Sequence, residues 1–309
     1  MFLLILSKLN SFFMYVIKYL FFVLLCFLLI TCQNRSNVRE HIESEEMTGF
    51  NETEEVKDIY YRFPSPDEML DIIDKEKLAF NDELPLPTDR ANQFLDSKSQ
   101  ALNLGVYIAD LAYITLFQRQ KEALTYFQVV YGLSDKLRIS SAFDPSMLKR
   151  FEDNLNNLDS LKTLSDEALI SITNYLSRND KERVFALISI GGFIESLYLA
   201  FQIVDEYSEE NEIIQRICDQ KLVLENLINF SLEFADDDNV SEAIKLIHPV
   251  RAVYNELVAT PEATKVTKND KGMLIIKGGE KIGITKEQYN KLREATIRTR
   301  KKITENLEN

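Results

Sequence analysis

The 309-residue chain has no tryptophan, two histidines, three cysteines and nine glycines. Each scarcity excludes something. His41 and His248 stand without a second His or a Cys at ligand spacing, and neither belongs to a Ser, Cys or Asp arrangement. A metal centre and a histidine-based nucleophile are therefore not expected. Of Cys26, Cys32 and Cys218, the first lies in an apolar leader and the second has another fate, so Cys218 is left alone. That rules out an intramolecular disulfide framework and leaves a buried apolar thiol. The glycine pairs carry no GK[ST] ending, so no phosphate loop is present. Positive charge is also short, 36 Lys and Arg against 49 Asp and Glu, a net of −13. Residues 1–31 hold Lys8 and Lys18 and no acid, so without them 34 stand against 49, a net of −15. A basic footprint for nucleic acid is missing, and anionic lipid headgroups are poor partners for such a surface.

What the chain does have is a long apolar run, RVFALISIGGFIESLYLAFQIVD, from Arg183 to Asp205. Its 21 residues from Val184 to Val204 are long enough to cross a bilayer. It contains Glu195, however, and a carboxylate near mid-membrane costs about 2.5–3.5 kcal/mol. The reading preferred here is the central helix of a bundle, apolar all round because it is surrounded. Gly191 and Gly192 each cost about 1 kcal/mol against Ala in mid-helix, which close approach of another backbone would offset. Glu195 has Gly191, Gly192, Tyr198 and Leu199 as helical neighbours, so its carboxylate faces an apolar wall and needs a partner or a raised pKa.

A second run, Leu102 to Gln118, repeats the pattern with Asp110 among Val106, Tyr107, Tyr113 and Ile114. Asp110-Leu-Ala-Tyr113 parallels Glu195-Ser-Leu-Tyr198; each has a Gly upstream and a Phe-Gln pair downstream. Two explanations stand: an internal duplication with a pseudo-twofold, or chance likeness between two apolar helices. The four residues Asp110, Tyr113, Glu195 and Tyr198 form the one candidate polar or ligand site in the core. Acid–base catalysis there requires the two carboxyls close together with raised pKa. Buried polar residues that fix helix register are the simpler expectation. No cofactor is expected.

At the N-terminus, Lys18 precedes the apolar segment YLFFVLLCFLLIT, followed by Cys32. This is a basic region followed by a secretory-type core. Leu29-Ile30-Thr31-Cys32 resembles a bacterial lipobox, with Thr31 where Gly, Ala or Ser is usual. The resemblance implies a diacylglyceryl thioether on Cys32, palmitate-type acylation, and Cys32 as mature N-terminus; an uncleaved anchor is the rival, and Met14 is a second possible start. Gln33 and Asn34 are not aspartates, which under the same resemblance favours the outer membrane's periplasmic face over the inner membrane. Residues 32–63 are polar and acidic and read as a flexible tether.

The expected domain spans residues 64–260. Ser65-Pro66-Asp67-Glu68 starts a helix to about Phe80. Leu84-Pro85-Leu86-Pro87 forces an extended link, and Thr88 or Asp89 opens the Asp110 helix. Gln120–Arg138 is amphipathic. Asp144-Pro145 then begins one long helix to Arg178, in which Asn154, Asn156, Asn157, Asp159 and Ser160 mark a kink or supply partners to the core carboxylates. Asn179-Asp180 with Glu182 caps the central helix. Helices follow over 209–234 and 240–258, the second capped from Asp236-Asp237-Asp238-Asn239, whose spacing fails as a calcium loop. Residues 261–309 read as a β-hairpin over 273–284 turning at Gly278-Gly279, then a basic helix from Lys286 to Leu307 capped by Thr285 and Gln288. That helix makes either an intramolecular contact or a partner-docking site.

The fold class expected is all-α, a helical bundle around a central apolar helix with a small C-terminal β-hairpin and helix. GVYIADLAY and the later GGFIESLY behind the lipobox leader are similar to uncharacterised all-helical lipoproteins of Gram-negative cell envelopes. The resemblance implies fold and location and carries no activity. The function expected is a non-enzymatic, membrane-anchored envelope scaffold with a protein partner. The alternative is a small-ligand-binding protein with its site at Asp110 and Glu195.

Overall fold

The computed structural model describes residues 79–305 apart from 145, 155–156, 205 and 269–273. The leader, the lipobox, the tether and the helix expected over 65–78 lie outside the described residues. The chain divides into units of residues 1–51 and 52–309, and every described residue belongs to the second.

The bundle is built on two helices, α1 (Ser97–Leu116) and α5 (Glu182–Ile203), both apolar on nearly all sides and buried along most of their length. Length and composition would let α5 cross a membrane, but here it is packed inside the helices around it. The other helices are α2 (Gln120–Lys136), α3 (Met147–Asp153), α4 (Leu158–Arg178), α6 (Glu212–Leu232), α7 (Asp238–Asn255) and α8 (Lys286–Thr304). Antiparallel strands β1 (Ala259–Lys268) and β2 (Leu274–Ile282) sit between α7 and α8. Helices α2, α6, α7 and α8 are amphipathic and present their apolar stripes to the central pair.

The glycines explain how α1 and α5 come together. A β-carbon placed on Gly105 would lie 1.9 Å from the carbonyl oxygen of Ile188, and one on Gly191 would lie 1.8 Å from that of Leu102. The two backbones touch. The contact is reciprocal, because Leu102 is three residues before Gly105 and Ile188 three before Gly191. The likeness between the two stretches is thus matched by a local twofold at their crossing. Beyond it both helices run on together, so Asp110 and Glu195 emerge on the same side.

Several local expectations are corrected. The chain after the LPLP link forms a 3-10 turn (Thr88–Gln93), and α1 starts only at Ser97, capped by Asp96. The single long helix after Pro145 is two, α3 and α4. Asn157 accepts a hydrogen bond from Ser160 N and restarts the chain as an N-cap, since asparagine competes with the helical ladder for backbone donors. Helix α5 has no side-chain cap, and Asp180 instead takes a left-handed φ of 53° in the preceding turn. Asn211 caps α6, whereas Asp237, from the expected acidic run, caps α7 as read from the sequence; Glu242 is paired with Lys98. The hairpin does not turn at Gly278-Gly279. Both glycines lie inside β2, where the register shifts between Glu262↔Gly279 and Lys265↔Lys277. Pairing β2 with the Thr-rich segment before it makes a longer ladder than a two-residue Gly-Gly turn allows, and at the bulge two β1 residues, 263 and 264, oppose Gly278. The capping box of Thr285 and Gln288 on α8 is as expected. Cys218 is buried and unpaired, its thiol pushed by burial up to about 12.

Gly105→Ala and Gly191→Ala should each cost about 3 kcal/mol or more, because the obstruction is backbone rather than a movable side chain. Gly132, helical and with open space around its β-carbon position, should gain about 1 kcal/mol as alanine. Urea unfolding of the three variants checks the contrast; equal effects would remove the close-contact explanation.

Candidate functional site

Asp110 and Glu195, one turn or so past the glycine contact on their helices, are both fully buried. Their carboxyl groups lie against each other. Glu195 accepts a bidentate pair from Arg300 of α8, Nε to Oε2 at 2.6 Å and Nη2 to Oε1 at 2.8 Å. The guanidinium also lies over the Tyr198 ring, 4.0 Å from its centre. Fork-to-fork geometry of this kind is the strong form of the ion pair, and a stacked arginine gains a further ~2 kcal/mol when desolvated.

Arg300 is the residue that sequence reasoning missed. Of the two readings of the basic tail, an intramolecular contact is what α8 makes, burying Tyr289, Leu292, Thr296 and Ile303, but the residue that makes the polar part of it was not singled out. Arg300 falls four residues after Thr296 and three before Ile303, on that same buried face. A single arginine at a core position of an otherwise amphipathic helix was the available signal.

The LPLP segment was read as a connector, and it turns out to be the other partner of the cluster. Leu86 N donates to Asp110 Oδ2 at 2.9 Å, and Arg300 Nη2 donates to the Leu84 carbonyl at 3.1 Å. Tyr126 and Tyr107 hydroxyls donate to the carbonyls of Leu86 and Pro87, each at 2.9 Å. Prolines 85 and 87 contribute no N–H. The strap therefore crosses the buried surface with few donors to satisfy, and side chains take up its carbonyls. The far end of α8 is secured similarly: Arg90 Nη2 donates to the Thr304 carbonyl at 2.9 Å and Asn103 Nδ2 to that of Ile303 at 3.1 Å.

The two carboxyls are unlike. Burial, and then the charge of Glu195, raise Asp110 well above the usual carboxylate range, with the Leu86 amide opposing. Burial also raises Glu195, but Arg300 pulls it back. Arg300 is raised: burial works against its charge, and Glu195 outweighs that loss. Asp110 thus keeps the proton, and Glu195 carries the charge that Arg300 neutralises. Asp110 Oδ1 finds no donor around it, as expected of an oxygen that bears a proton of its own towards Glu195. Burial raises Tyr198 as well, against the Arg300 charge.

Of the four predicted site residues, Asp110, Glu195 and Tyr198 meet around Arg300. Tyr113 is on the adjoining side, where its hydroxyl accepts from Asn81 N at 3.1 Å and its ring stacks on Phe80. Of the asparagines expected there, Asn154 donates to the Arg150 carbonyl and Asn157 caps α4, so these two are not partners of the carboxylates, and Asn156 lies outside the described residues. A cavity of about 100 Å³ lies between α1, α5 and α6, and of the four residues only Tyr113 lines it. Among the described residues no group of three or more His, Cys, Asp or Glu could hold a metal ion.

No family model, no curated protein and no solved structure matches the chain.

Removing Arg300 (Arg300→Met) should cost about 3–5 kcal/mol, since it leaves a buried carboxylate unpaired. Asp110→Asn mimics the protonated carboxyl. The folded-state pKa of Asp110 is raised, so its stabilising protonation is complete below the ordinary carboxylate range and is lost as pH rises through the folded value. The wild type should therefore lose stability relative to Asp110→Asn on going from pH 5 to pH 9. Thermal melts across that range test this, and a pH-independent difference between the two would contradict the assignment of the proton.

Proposed function

We propose that the protein is a membrane-anchored envelope lipoprotein, tethered through Cys32 and facing the periplasm, whose helical bundle is a non-enzymatic scaffold or interaction module. The observation that carries the non-enzymatic part is the closure of the carboxyl pair. Asp110 and Glu195 have no exposed surface, and every partner described above belongs to the chain itself. A catalytic acid or base must come within hydrogen-bond reach of a substrate, and here Arg300, the Leu84–Pro87 strap and Tyr198 occupy that space. The tether reading rests on the Lys18-led apolar segment and the Leu29-Ile30-Thr31-Cys32 motif. Under the same lipobox resemblance, Gln33 and Asn34 in place of aspartates favour the outer membrane over the inner.

Such an anchor carries more than one acyl chain, and that exceeds the reversible hold of a single chain. A protein partner in the envelope then meets a domain standing off the membrane on an acidic tether.

Cells expressing the full chain should incorporate labelled palmitate into it, and Cys32→Ser should abolish the label and release the chain from the membrane fraction. Label that persists in Cys32→Ser would remove the lipobox reading; membrane retention without any label would point to an uncleaved anchor. For the scaffold part, crosslinking in intact cells should capture a defined protein partner on the bundle surface, and Asp110→Ala or Glu195→Ala should lower thermal stability. A small molecule that co-purifies with the protein and is lost in Glu195→Ala, with the fold intact, would replace the scaffold reading by the ligand-binding one.

A further inference from the structure

The cavity of about 100 Å³ between α1, α5 and α6 is not part of the carboxyl cluster. Ala109, Ala112 and Ala200 line it where larger side chains would close the gap, and Leu197 and Ile217 complete an apolar wall. Along its edge Ala109, Ala112 and Leu116 of α1 and Ile203 of α5 are only half-buried. Small residues side by side on neighbouring helices make a groove in which a further helix packs at short range.

The described chain enters the bundle beside this groove. The Phe80 ring stacks on Tyr113, 5.5 Å between centres, and lies 5.6 Å from Phe117. Asn81 N donates to the Tyr113 hydroxyl at 3.1 Å, and the Arg119 guanidinium lies over the Phe80 ring at 5.0 Å. Phe80 is thereby fixed at the C-terminal end of α1. Tyr113 is itself a wall of the groove, so the chain before Phe80 starts at the groove's rim.

The residues that precede this anchor have the pattern the groove requires. Ser65-Pro66-Asp67-Glu68 reads as a helix start, and Met69, Ile72 and Ile73 follow at i, i+3 and i+4. Asp67, Asp71, Asp74 and Lys75 fall on the opposite side. Residues 65–78 span about 21 Å as a helix, and the groove residues of α5, Phe193 to Ile203, span about 15 Å. A helix this short is marginal in water unless its apolar side is packed. Its attachment at Phe80 also sets the competition. A segment joined to the rim meets the groove at a millimolar effective concentration, which a second chain or a dissolved apolar molecule does not match.

We infer that the segment over 65–78 is the occupant of this groove, docked as an amphipathic helix with Met69, Ile72 and Ile73 towards Ala112, Ala200 and Ile217. The acidic tether over 32–63 then joins the bundle along the α1–α5–α6 face, one helix earlier than Phe80.

The test uses the full chain in phosphatidylcholine nanodiscs with Ala112→Cys as a reporter. Maleimide labelling is followed by peptide mass spectrometry, which separates the reporter from the native cysteines. Labelling should be slow in this background and at least tenfold faster when Ile72→Asp and Ile73→Asp are added. A second measurement needs no disruptive change and serves if the double aspartate variant fails to fold. With p-benzoylphenylalanine at Ile73, irradiation should give crosslinks to α1, α5 and α6 around Ala112, Ala200 and Ile217; the same probe at Asp71 should give severalfold fewer. Both probes are run on a mixture of 15N-labelled and unlabelled chains. Equal labelling rates with and without the aspartates overturn the inference, slow in both meaning another occupant and fast in both an empty groove. Crosslinks scattered over the surface overturn it too, and crosslinks that join labelled to unlabelled chains would put a second copy in the groove instead. These readouts do not depend on the fate of Cys32.

Discussion

Everything in this bundle is arranged around one contact in which two backbones touch. With a side chain on Gly105 or Gly191, the Ile188 or Leu102 carbonyl would be displaced and α1 and α5 would separate by the width of a methyl group or more. The cost of glycine in a helix, about 1 kcal/mol each, is accepted for a helix pair with no gap at its centre. That closeness has two consequences further along. On one side it brings Asp110 and Glu195 within reach of each other. On the other it lets the helices leave a cleft lined with alanine.

Two carboxyls forced together in a dry interior cannot both ionise. The chain settles the conflict by unequal surroundings: a proton stays on Asp110, and an arginine from the last helix neutralises Glu195. The solution ties distant parts of the sequence together. Arg300 joins the final helix to the central one, 105 residues away, and through the Leu84 carbonyl to the strap at the start of the described domain, 216 residues away. A buried ion pair is weak evidence of net stability, since an apolar substitute of similar volume is often as good. Its effect here is on specificity. An amphipathic helix as polar as α8 could slide by a turn along an apolar groove at small cost. With Arg300 confined to Glu195, every other register leaves a charge buried alone. The same holds for the strap, whose carbonyls have partners only when Leu84 to Pro87 lie where they do.

Much of this was visible in the chain. Two apolar helices with lone carboxylates, glycines placed for close approach and an all-α bundle with a terminal hairpin can all be read from patterns within one window. What stayed hidden depended on pairing across the chain. The LPLP segment announces its own extended conformation but not that its carbonyls face an arginine two hundred residues later. Arg300 sits in a run of basic residues, and only its spacing from Thr296 and Ile303 sets it apart. The Gly278-Gly279 pair satisfies the local rule for a tight turn, yet strand pairing is decided by the partner, and the segment over 259–268 offered the longer ladder. Asn157 opens a new helix as its N-cap where apolar spacing alone would have continued the previous one.

The carboxyl cluster and the apolar cleft also show why polar residues deep in a core do not by themselves mark a binding site. Asp110 and Glu195 are the most conspicuous residues of the sequence, and they are the ones most completely spoken for: each polar contact they make is internal, and burial, proton and counter-charge balance without a guest. Ala109, Ala112 and Ala200 draw no notice in the sequence, because alanine is an ordinary helical residue. Placed where two helices diverge from a glycine contact, they leave a cavity of about 100 Å³ between α1, α5 and α6. Free space in this core is set by small residues where two helices diverge, and it lies along α6, reached by Tyr113 but not by Asp110, Glu195 or Tyr198.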